Sequence, residues 1–160
     1  MIRKVISGGQ TGSDRAGLDA AIEAGIPHGG WCPAGRLASD GPISKDYNLQ
    51  ETEEATYPPR TEKNVREGDA TVIFYRGPEL SRGCALTKGL CAKHGKPCLQ
   101  LDVAKVDIEE SSRRIKNLVR QHNVTTLNVA GSRENKSPGI YYLTFEALTL
   151  ALSEETLEES

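Results

Sequence analysis

Short apolar runs alternate along the chain with segments in which apolar residues recur every three or four positions. The first pattern is typical of strands and the second of helices. The clearest run, Ala70–Tyr75, is apolar throughout, as expected for a strand covered on both faces. Shorter runs predict further strands at about residues 5–7, 28–32, 97–101 and 126–130. This alternation predicts an α/β fold, a Rossmann-like three-layer sandwich with a mostly parallel sheet of about five strands.

Helices are predicted between these runs, and their ends are set by recognisable capping residues. Residues 13–24 form the first, in which Leu18 and Ile22 share a face, and Gly25 ends it. A helix over residues 85–94 ends before Gly95. The remaining helices are predicted to begin at three N-caps, which are Thr61, Asp107 in a capping box with Glu110, and Ser137 with Pro138 in the first turn.

One domain is expected from the 160 residues. We assign residues 1–153 to a single Rossmann-like ligand-binding domain and residues 154–160 to an acidic, solvated C-terminal tail. Residues 33–59 are polar and interrupted by prolines. Because so long an irregular segment is uncommon inside a compact domain, we interpret it as a binding loop.

Composition limits the partners of this domain. The net charge is −2 and no block of five or more basic residues occurs, so neither a nucleic acid polymer nor an anionic membrane is an expected partner. No apolar segment suggests a signal peptide or a membrane span, and we expect a cytoplasmic protein. The four cysteines and three histidines show no metal-ligand spacing and no triad partner, so we assign no metal site and no catalytic residue. The sequence is compatible with a homo-oligomer.

The turn after the first predicted strand resembles an anion cradle. Glycines 8, 9 and 12 lack a Cβ, so their N–H groups can approach a ligand, and the following helix N-terminus favours negative charge. Gln10 and Thr11 add side-chain donors. Asp14 and Arg15 in the first helical turn either bind ligand or only complement the helix dipole. The turn is neither a G-x-G-x-x-G fingerprint nor a Walker motif, so P-loop NTP hydrolysis is not indicated.

Two later turns repeat this chemistry. The second contains Arg82, Gly83 and Thr87, and the third contains Gly131, Ser132 and Arg133. An arginine at such a place suits a phosphate or a carboxylate, although a solvated arginine beside a relaxed turn is the alternative. If all three turns follow strands of one parallel sheet, we expect them to face one crevice.

Residues of the predicted loop extend the candidate site. Arg36 is a candidate ligand-binding cation, and Trp31 either stacks on a flat heterocycle or packs against the domain. Arg60 and Asn64 are explained equally well by capping, by solvation or by binding. If the protein is an enzyme, Asp14, Asp40 or Glu51 is the acid or base; otherwise these carboxylates are caps or surface charges.

These motifs in this order resemble the putative molybdenum carrier family, a circularly permuted, YpsA-like branch of the SLOG superfamily. The resemblance covers nearly the whole chain. It rests on Ser7–Arg15 with Gly17 and Asp19, Gly30–Arg36 with Asp40–Pro42, Arg60-Thr61 with Asn64-Val65, Gly83 with Thr87, Gly95–Pro97, and Asn128–Arg133.

The resemblance implies a Rossmann-like fold in which Gly131-Ser132-Arg133 is similar to the first-strand motif of ordinary SLOG domains. It also implies a binding protein for a phosphate-bearing small ligand, namely a carrier of the molybdenum cofactor (molybdopterin), or otherwise of a nucleotide-like ligand. The alternative is a nucleotide-processing enzyme or nucleotide sensor related to the Lonely Guy phosphoribohydrolases. The catalytic glutamate of those enzymes is missing here, because Lys88-Gly89-Leu90 follows Thr87, and this favours binding over catalysis.

Overall fold

A computed structural model describes residues 1–159, with side chains described through residue 153. The segment predicted as an acidic tail, residues 154–160, lies outside the described side chains. The described elements are, in chain order, β1 (Lys4–Ile6), α1 (Ser13–Ala24), β2 (His28–Gly29), β3 (Trp31–Cys32), β4 (Leu37–Ala38), β5 (Gly41–Pro42), β6 (Gln50–Glu51), α2 (Tyr57–Glu67), β7 (Ala70–Tyr75), α3 (Arg82–Lys93), β8 (Cys98–Asp102), α4 (Ile108–His122), β9 (Thr126–Gly131) and α5 (Ile140–Glu159).

The central sheet has five strands in the order β2-β1-β9-β7-β8, and every neighbouring pair is parallel. The last strand, β9, lies in the middle, between β1 and β7, so the turns that follow these three strands leave the same edge of the sheet. In a parallel α/β sheet ligands bind at this carboxyl edge. The predicted α/β, Rossmann-like arrangement is confirmed.

Helices cover both faces of the sheet. On one face α1, α4 and α5 pack together, and on the other α2 packs against α3. Alternate residues of a strand point to opposite faces, so Ala70, Val72 and Phe74 of β7 join the main core beneath α1, α4 and α5. Thr71 and Ile73 are buried toward α2 and α3. Burial on both sides explains why β7 is apolar at every position except Thr71.

The predicted strand over residues 28–32 divides at Gly30. His28–Gly29 joins the central sheet, whereas Trp31–Cys32 pairs with β6 in a separate two-stranded sheet. Gly30 has φ +124°, and a Cβ there would lie 2.2 Å from the Ser7 carbonyl oxygen. The close approach of the chain to Ser7 therefore ends the strand. The loop predicted as irregular over residues 33–59 contains β6, which pairs with β3, and a small β4–β5 hairpin.

Two predicted N-caps are wrong, and the reasons are local. Helix α2 begins at Tyr57, with prolines in its first turn, and Thr61 lies buried inside it, where its hydroxyl donates to the Tyr57 carbonyl. Helix α5 begins at Ile140, and the Ser137 hydroxyl instead accepts from Arg76. The Glu134 carboxylate accepts from the N–H groups of Gly139 and Tyr141, so it caps α5.

Other boundaries shift less. Helix α3 begins at Arg82, three residues earlier than predicted, because the Ser81 hydroxyl accepts from the Cys84 N–H. The predicted cap at Asp107 is observed, with its carboxylate 2.8 Å from the Glu110 N–H. Ile22 of α1, expected on the same face as Leu18, is 50% exposed, whereas Leu18 is fully buried.

The cysteines are free thiols, three of them buried. Cys91 of α3 and Cys98 of β8 are hydrogen-bonded to each other, a contact that the sequence spacing did not predict. This hydrogen bond lowers the pKa of Cys91 to about 7. Among the described helices, none has both the length and the apolar character needed to cross a bilayer.

Asp69 fixes the start of the central strand β9. One of its carboxylate oxygens accepts from the Thr125 N–H at 2.9 Å, the Thr125 hydroxyl at 3.0 Å and the Thr126 N–H at 2.9 Å. The hydrogen bond from Thr126 is the main cause of a lowered pKa at Asp69.

We expect Asp69→Ala to lower the free energy of unfolding at pH 7 by about 1.5–3 kcal/mol, because charged hydrogen bonds are lost. Because the pKa is lower in the folded state, this stabilisation is present above the ordinary carboxyl pKa and is lost as the pH falls through the folded value. Urea unfolding at several pH values measures it. Replacement of the exposed Glu79 by Ala is the control, and an equal loss in both variants would contradict this role for Asp69.

Candidate functional site

The first turn connects β1 to α1 at the carboxyl edge of the sheet. The Ser7 hydroxyl donates to the Asp14 carbonyl at 2.8 Å and accepts from the Gly9 N–H at 3.2 Å, which folds the turn back on the helix start. Gly12 occupies the N-cap position of α1 with φ +81°, and α1 has no side-chain cap. The positive end of the α1 dipole is therefore not neutralised by a capping side chain.

The third turn packs directly on the first. The Ser13 N–H donates to the Ser132 carbonyl at 3.2 Å, and the Glu134 N–H donates to the Thr11 hydroxyl at 3.3 Å. A Cβ on Gly12 would lie 2.3 Å from the Ser132 oxygen. Two constraints therefore favour glycine at this position: its left-handed backbone conformation and the close approach of the other turn.

A cavity of about 600 Å³ opens where these two turns meet. It lies between α1, the start of α5 and the loop of residues 33–56, which we call the cover loop. This volume is in the range of small-molecule sites. The lining residues are Thr11, Gly12, Arg15, Asp19, Ser39, Asp40, Tyr47, Glu134, Asn135 and Tyr141.

Arg15 joins the first turn to the cover loop. Its guanidinium donates to the Gly9 carbonyl at 3.0 and 3.2 Å and to both oxygens of Asp40 at 2.9 and 3.3 Å. The hydrogen bond from Arg15 lowers the pKa of Asp40, so the pair remains ionised at neutral pH. Arg15 lines the cavity while it makes these contacts.

Asp19 lies one helical turn beyond Arg15 on the same wall of the cavity. One carboxylate oxygen accepts from the Tyr47 hydroxyl at 2.7 Å, and the other accepts from the Tyr141 hydroxyl. Burial, and then the hydrogen bond to Asp19, raises the pKa of both tyrosines, so both phenols keep their protons at neutral pH. The cavity therefore has an arginine near its helix end and a carboxylate deeper along α1.

The cover loop is held by Arg36, whose guanidinium donates to four backbone carbonyls of the loop itself. They belong to Ile43, Ser44, Tyr47 and Leu49, at 2.7–3.3 Å. We expected Arg36 to bind ligand, but the structure uses its donors within the loop. The loop also reaches the first turn, because the Ser39 N–H donates to the Gln10 side chain at 2.8 Å.

The second turn reaches the same edge from the other face of the sheet, and it does not line the large cavity. Thr87 borders a separate cavity of only about 10 Å³, enough for about one water molecule. Gly8, Asp14, Arg60 and Asn128 are among its other lining residues. The expectation that all three turns face one crevice is thus only partly met, because the central sheet separates α3 from α1 and α5.

Arg60 from α2 packs against the first turn. Its guanidinium atoms lie 2.5–2.8 Å from the place that a Cβ on Gly8 would take, and its Nη1 atom is 3.7 Å from the Asp14 carboxylate. Burial raises the pKa of Asp14, although the charge of Arg60 opposes that effect. In the described residues, the Nε atom of Arg60 and the Oδ1 atom of Asn128 have no hydrogen-bond partner.

Arg133 completes the cationic groups near the α1 start. Its guanidinium lies 4.8 Å from the centre of the Tyr57 ring and donates to the Ser39 hydroxyl at 3.3 Å. Ser39 lines the large cavity, so Arg133, which is not itself a lining residue, is one hydrogen bond away from the cavity wall. Arg60 lies against the same Tyr57 ring at 5.2 Å.

Several predicted site residues lie away from both cavities. Arg82 and Gly83 are exposed at the start of α3, and no atom is within 4 Å of the place where a Cβ of Gly83 would lie. The Trp31 ring donates to Glu67 and is covered by the Lys63 ammonium group at 4.4 Å. Within the residues described, no cluster of three or more His, Cys, Asp or Glu side chains could hold a metal ion.

Sequence reasoning missed much of the cavity wall. Asp19, Ser39, Tyr47, Glu134, Asn135 and Tyr141 were not predicted as site residues. A signal existed for Asp19, which is four residues after Arg15 and therefore on the same helix face. Tyr141 is 122 residues from Asp19 in sequence, and its hydroxyl reaches Asp19 only in the folded chain.

Comparison with known proteins identifies close similarity over nearly the whole chain. The model of the Circularly permutated YpsA SLOG family matches residues 5–152. No curated protein matches the chain. Among solved structures, the crystal structure of a putative molybdenum carrier protein from Syntrophus aciditrophicus SB, at 1.45 Å resolution, is 45% identical. It covers 94% of this chain and 95% of its own, with a TM-score of 0.91.

The contact between the two turns can be tested at Gly12. We expect Gly12→Ala to lower the free energy of unfolding by more than about 3 kcal/mol, because backbone strain and overlap with the Ser132 carbonyl add together. Urea denaturation gives the value.

Gly25→Ala is a matched control, because Gly25 also has a positive φ, +73°, but no atom lies within 4 Å of its would-be Cβ. Strain alone predicts a loss of about 1–2 kcal/mol there. If Gly12→Ala is no more destabilising than Gly25→Ala, the turn contact does not have the role described.

Proposed function

Because the chain belongs to the Circularly permutated YpsA SLOG family, we propose that it is a binding protein for a phosphate-bearing small molecule. We propose further that its ligand is the molybdenum cofactor, a pterin with a phosphate group, which the protein carries without breaking a bond. The observation that carries this proposal is the cavity of about 600 Å³ at the N-terminus of α1, which has no side-chain cap and lies where the first and third turns meet.

The α1 end of the cavity suits a phosphate. Thr11 and Gly12 line it at the positive end of the helix dipole, and Arg15 and Arg133 lie beside them. Gln10 precedes Thr11 and is only 4% exposed; its side-chain oxygen accepts from the N–H groups of Thr11 and Ser39, so it holds the first turn against the loop without lining the cavity.

The carboxylates of the cavity do not oppose this assignment. Asp40 is paired with Arg15, Glu134 caps α5, and Asp19 accepts from two phenols. Each negative charge therefore has its own donors, and Asp19 lies farther along α1 than the proposed phosphate position. Molybdenum is held by the sulfurs of its own cofactor, so a cofactor carrier needs no metal ligands of its own.

The similar crystal structure supports the choice of ligand, because that protein is called a putative molybdenum carrier and its sequence is 45% identical over nearly all of both chains. Catalysis has less support. Of the three acid or base candidates, Asp14 is buried beneath the turn and Asp40 is ion-paired. Glu51 accepts from the Gly35 N–H and does not line the cavity.

Binding can be measured by titration calorimetry with matched compounds that differ in one phosphate. Molybdopterin is compared with its dephosphorylated form, and guanosine monophosphate with guanosine. We expect the phosphate to increase affinity at least tenfold, since each charged hydrogen bond is worth about 1.5–3 kcal/mol. Equal affinity with and without the phosphate would overturn the proposal. Release of a hydrolysed product, detected by chromatography, would indicate the nucleotide-processing enzyme instead.

Arg133 provides a variant test of the same site. We expect Arg133→Gln to weaken binding of the phosphorylated compounds about tenfold or more and to leave the melting temperature nearly unchanged. Arg82→Gln is the control, because Arg82 is an exposed arginine of the second turn, at the start of α3, whereas Arg133 is hydrogen-bonded to the cavity-lining Ser39. A larger loss of affinity in Arg82→Gln would move the phosphate to the start of α3.

A further inference from the structure

The side chains that α1 contributes to the lining of the large cavity change from basic to acidic along the helix. Gly12 and Arg15 line its first part, and Asp19 lines it one turn farther on. Seven residues separate Gly12 from Asp19, which is about 10 Å along a helix. A ligand with a phosphate at the helix start would therefore extend its ring system toward Asp19, a span comparable with an extended nucleoside monophosphate or a phosphorylated pterin.

Asp19 is prepared to accept two parallel hydrogen bonds. Each of its oxygens receives one phenol, from Tyr47 or from Tyr141, and a carboxylate oxygen has room for a second donor. In the described residues no Lys, Arg or His forms an ion pair with it. Its two tyrosines come from the cover loop and from α5, so the position of the carboxylate depends on both elements.

We propose that Asp19 selects the heterocycle of the ligand by accepting two N–H groups from a 2-aminopyrimidin-4-one edge. Pterins and guanine share this edge, which presents an amino group beside a protonated ring nitrogen. Hypoxanthine offers only the ring N–H. Adenine presents a ring-nitrogen acceptor beside its amino group, and that acceptor repels a carboxylate. This inference rests on the proposed function, since it assumes that the phosphate binds at the α1 start.

The charge pattern favours this assignment over a purely structural role. A carboxylate that only joined two tyrosines would not need to line a cavity, whereas Asp19 does. Asp40, the cavity-lining carboxylate of the cover loop, is already ion-paired with Arg15. Asp19 is therefore the acceptor that remains for a neutral N–H edge, and charged hydrogen bonds of this kind are strong and directional.

The test uses pairs of compounds that differ only at position 2. Guanosine monophosphate is compared with inosine monophosphate, which lacks the 2-amino group, and a phosphorylated pterin with its 2-oxo analogue. We expect at least tenfold tighter binding of the 2-amino member of each pair to the intact protein, measured by calorimetry. The relative affinities of the guanine and pterin members show which ring the cavity prefers.

Two variants distinguish the role of Asp19 in this preference from that of the neighbouring carboxylate Asp40. We expect Asp19→Asn to reduce the preference for the 2-amino member to less than twofold, because an amide offers one acceptor oxygen instead of two. Asp40→Asn is the matched control. It affects both members of a pair equally, so the preference stays at least tenfold.

The outcomes distinguish this inference from the proposal on which it rests. If phosphorylated compounds bind but the 2-amino group changes affinity less than twofold, the inference about Asp19 is wrong and the proposed function stands. If none of the phosphorylated compounds binds, both are wrong. If Asp19→Asn does not fold, the two compound pairs with the unaltered protein still decide the matter.

Discussion

The contact between the β1–α1 turn and the β9–α5 turn is the constraint on which the site depends. It exists because β9, the last strand in sequence, is inserted between β1 and β7, so residues more than a hundred positions apart leave the same edge of the sheet. Gly12 allows the two chains to approach until the Ser13 N–H reaches the Ser132 carbonyl. A side chain at this position would separate the turns and displace the start of α1 from the cavity that it borders.

The cover loop adds the third wall, and a single arginine organises it. Arg36 donates to four backbone carbonyls in a segment with little regular structure. Arg15 and Gln10 then attach this loop to the first turn. The residues that hold the cover loop in place thus belong to the first turn, where we propose that the phosphate binds. The loop and the proposed phosphate site are therefore linked by these hydrogen bonds.

Charge separation along α1 connects the fold to the proposed ligand. The first turn of the helix presents a positive end without a side-chain cap and an arginine, and the next turn presents a carboxylate that accepts from two phenols. A flat molecule with an anionic group at one end and N–H donors at the other would match both ends. An elongated small molecule with these two different ends would fit this geometry.

By itself the sequence determined the alternation of strands and helices, the α/β class, the glycine-rich first turn and the family, because these depend on local patterns of apolar residues and glycines. Ala70–Tyr75 is one example, since a strand apolar on both faces must be central. Only the tertiary structure decided which side chains meet. The roles of Arg36, Glu134 and Asp19 depend on hydrogen-bond partners whose nearest members are 7, 5 and 28 residues away. Side-chain types alone do not fix such pairings. The separation of Thr87 from the large cavity has the same origin, because strand order and the face on which each helix packs are properties of the folded chain.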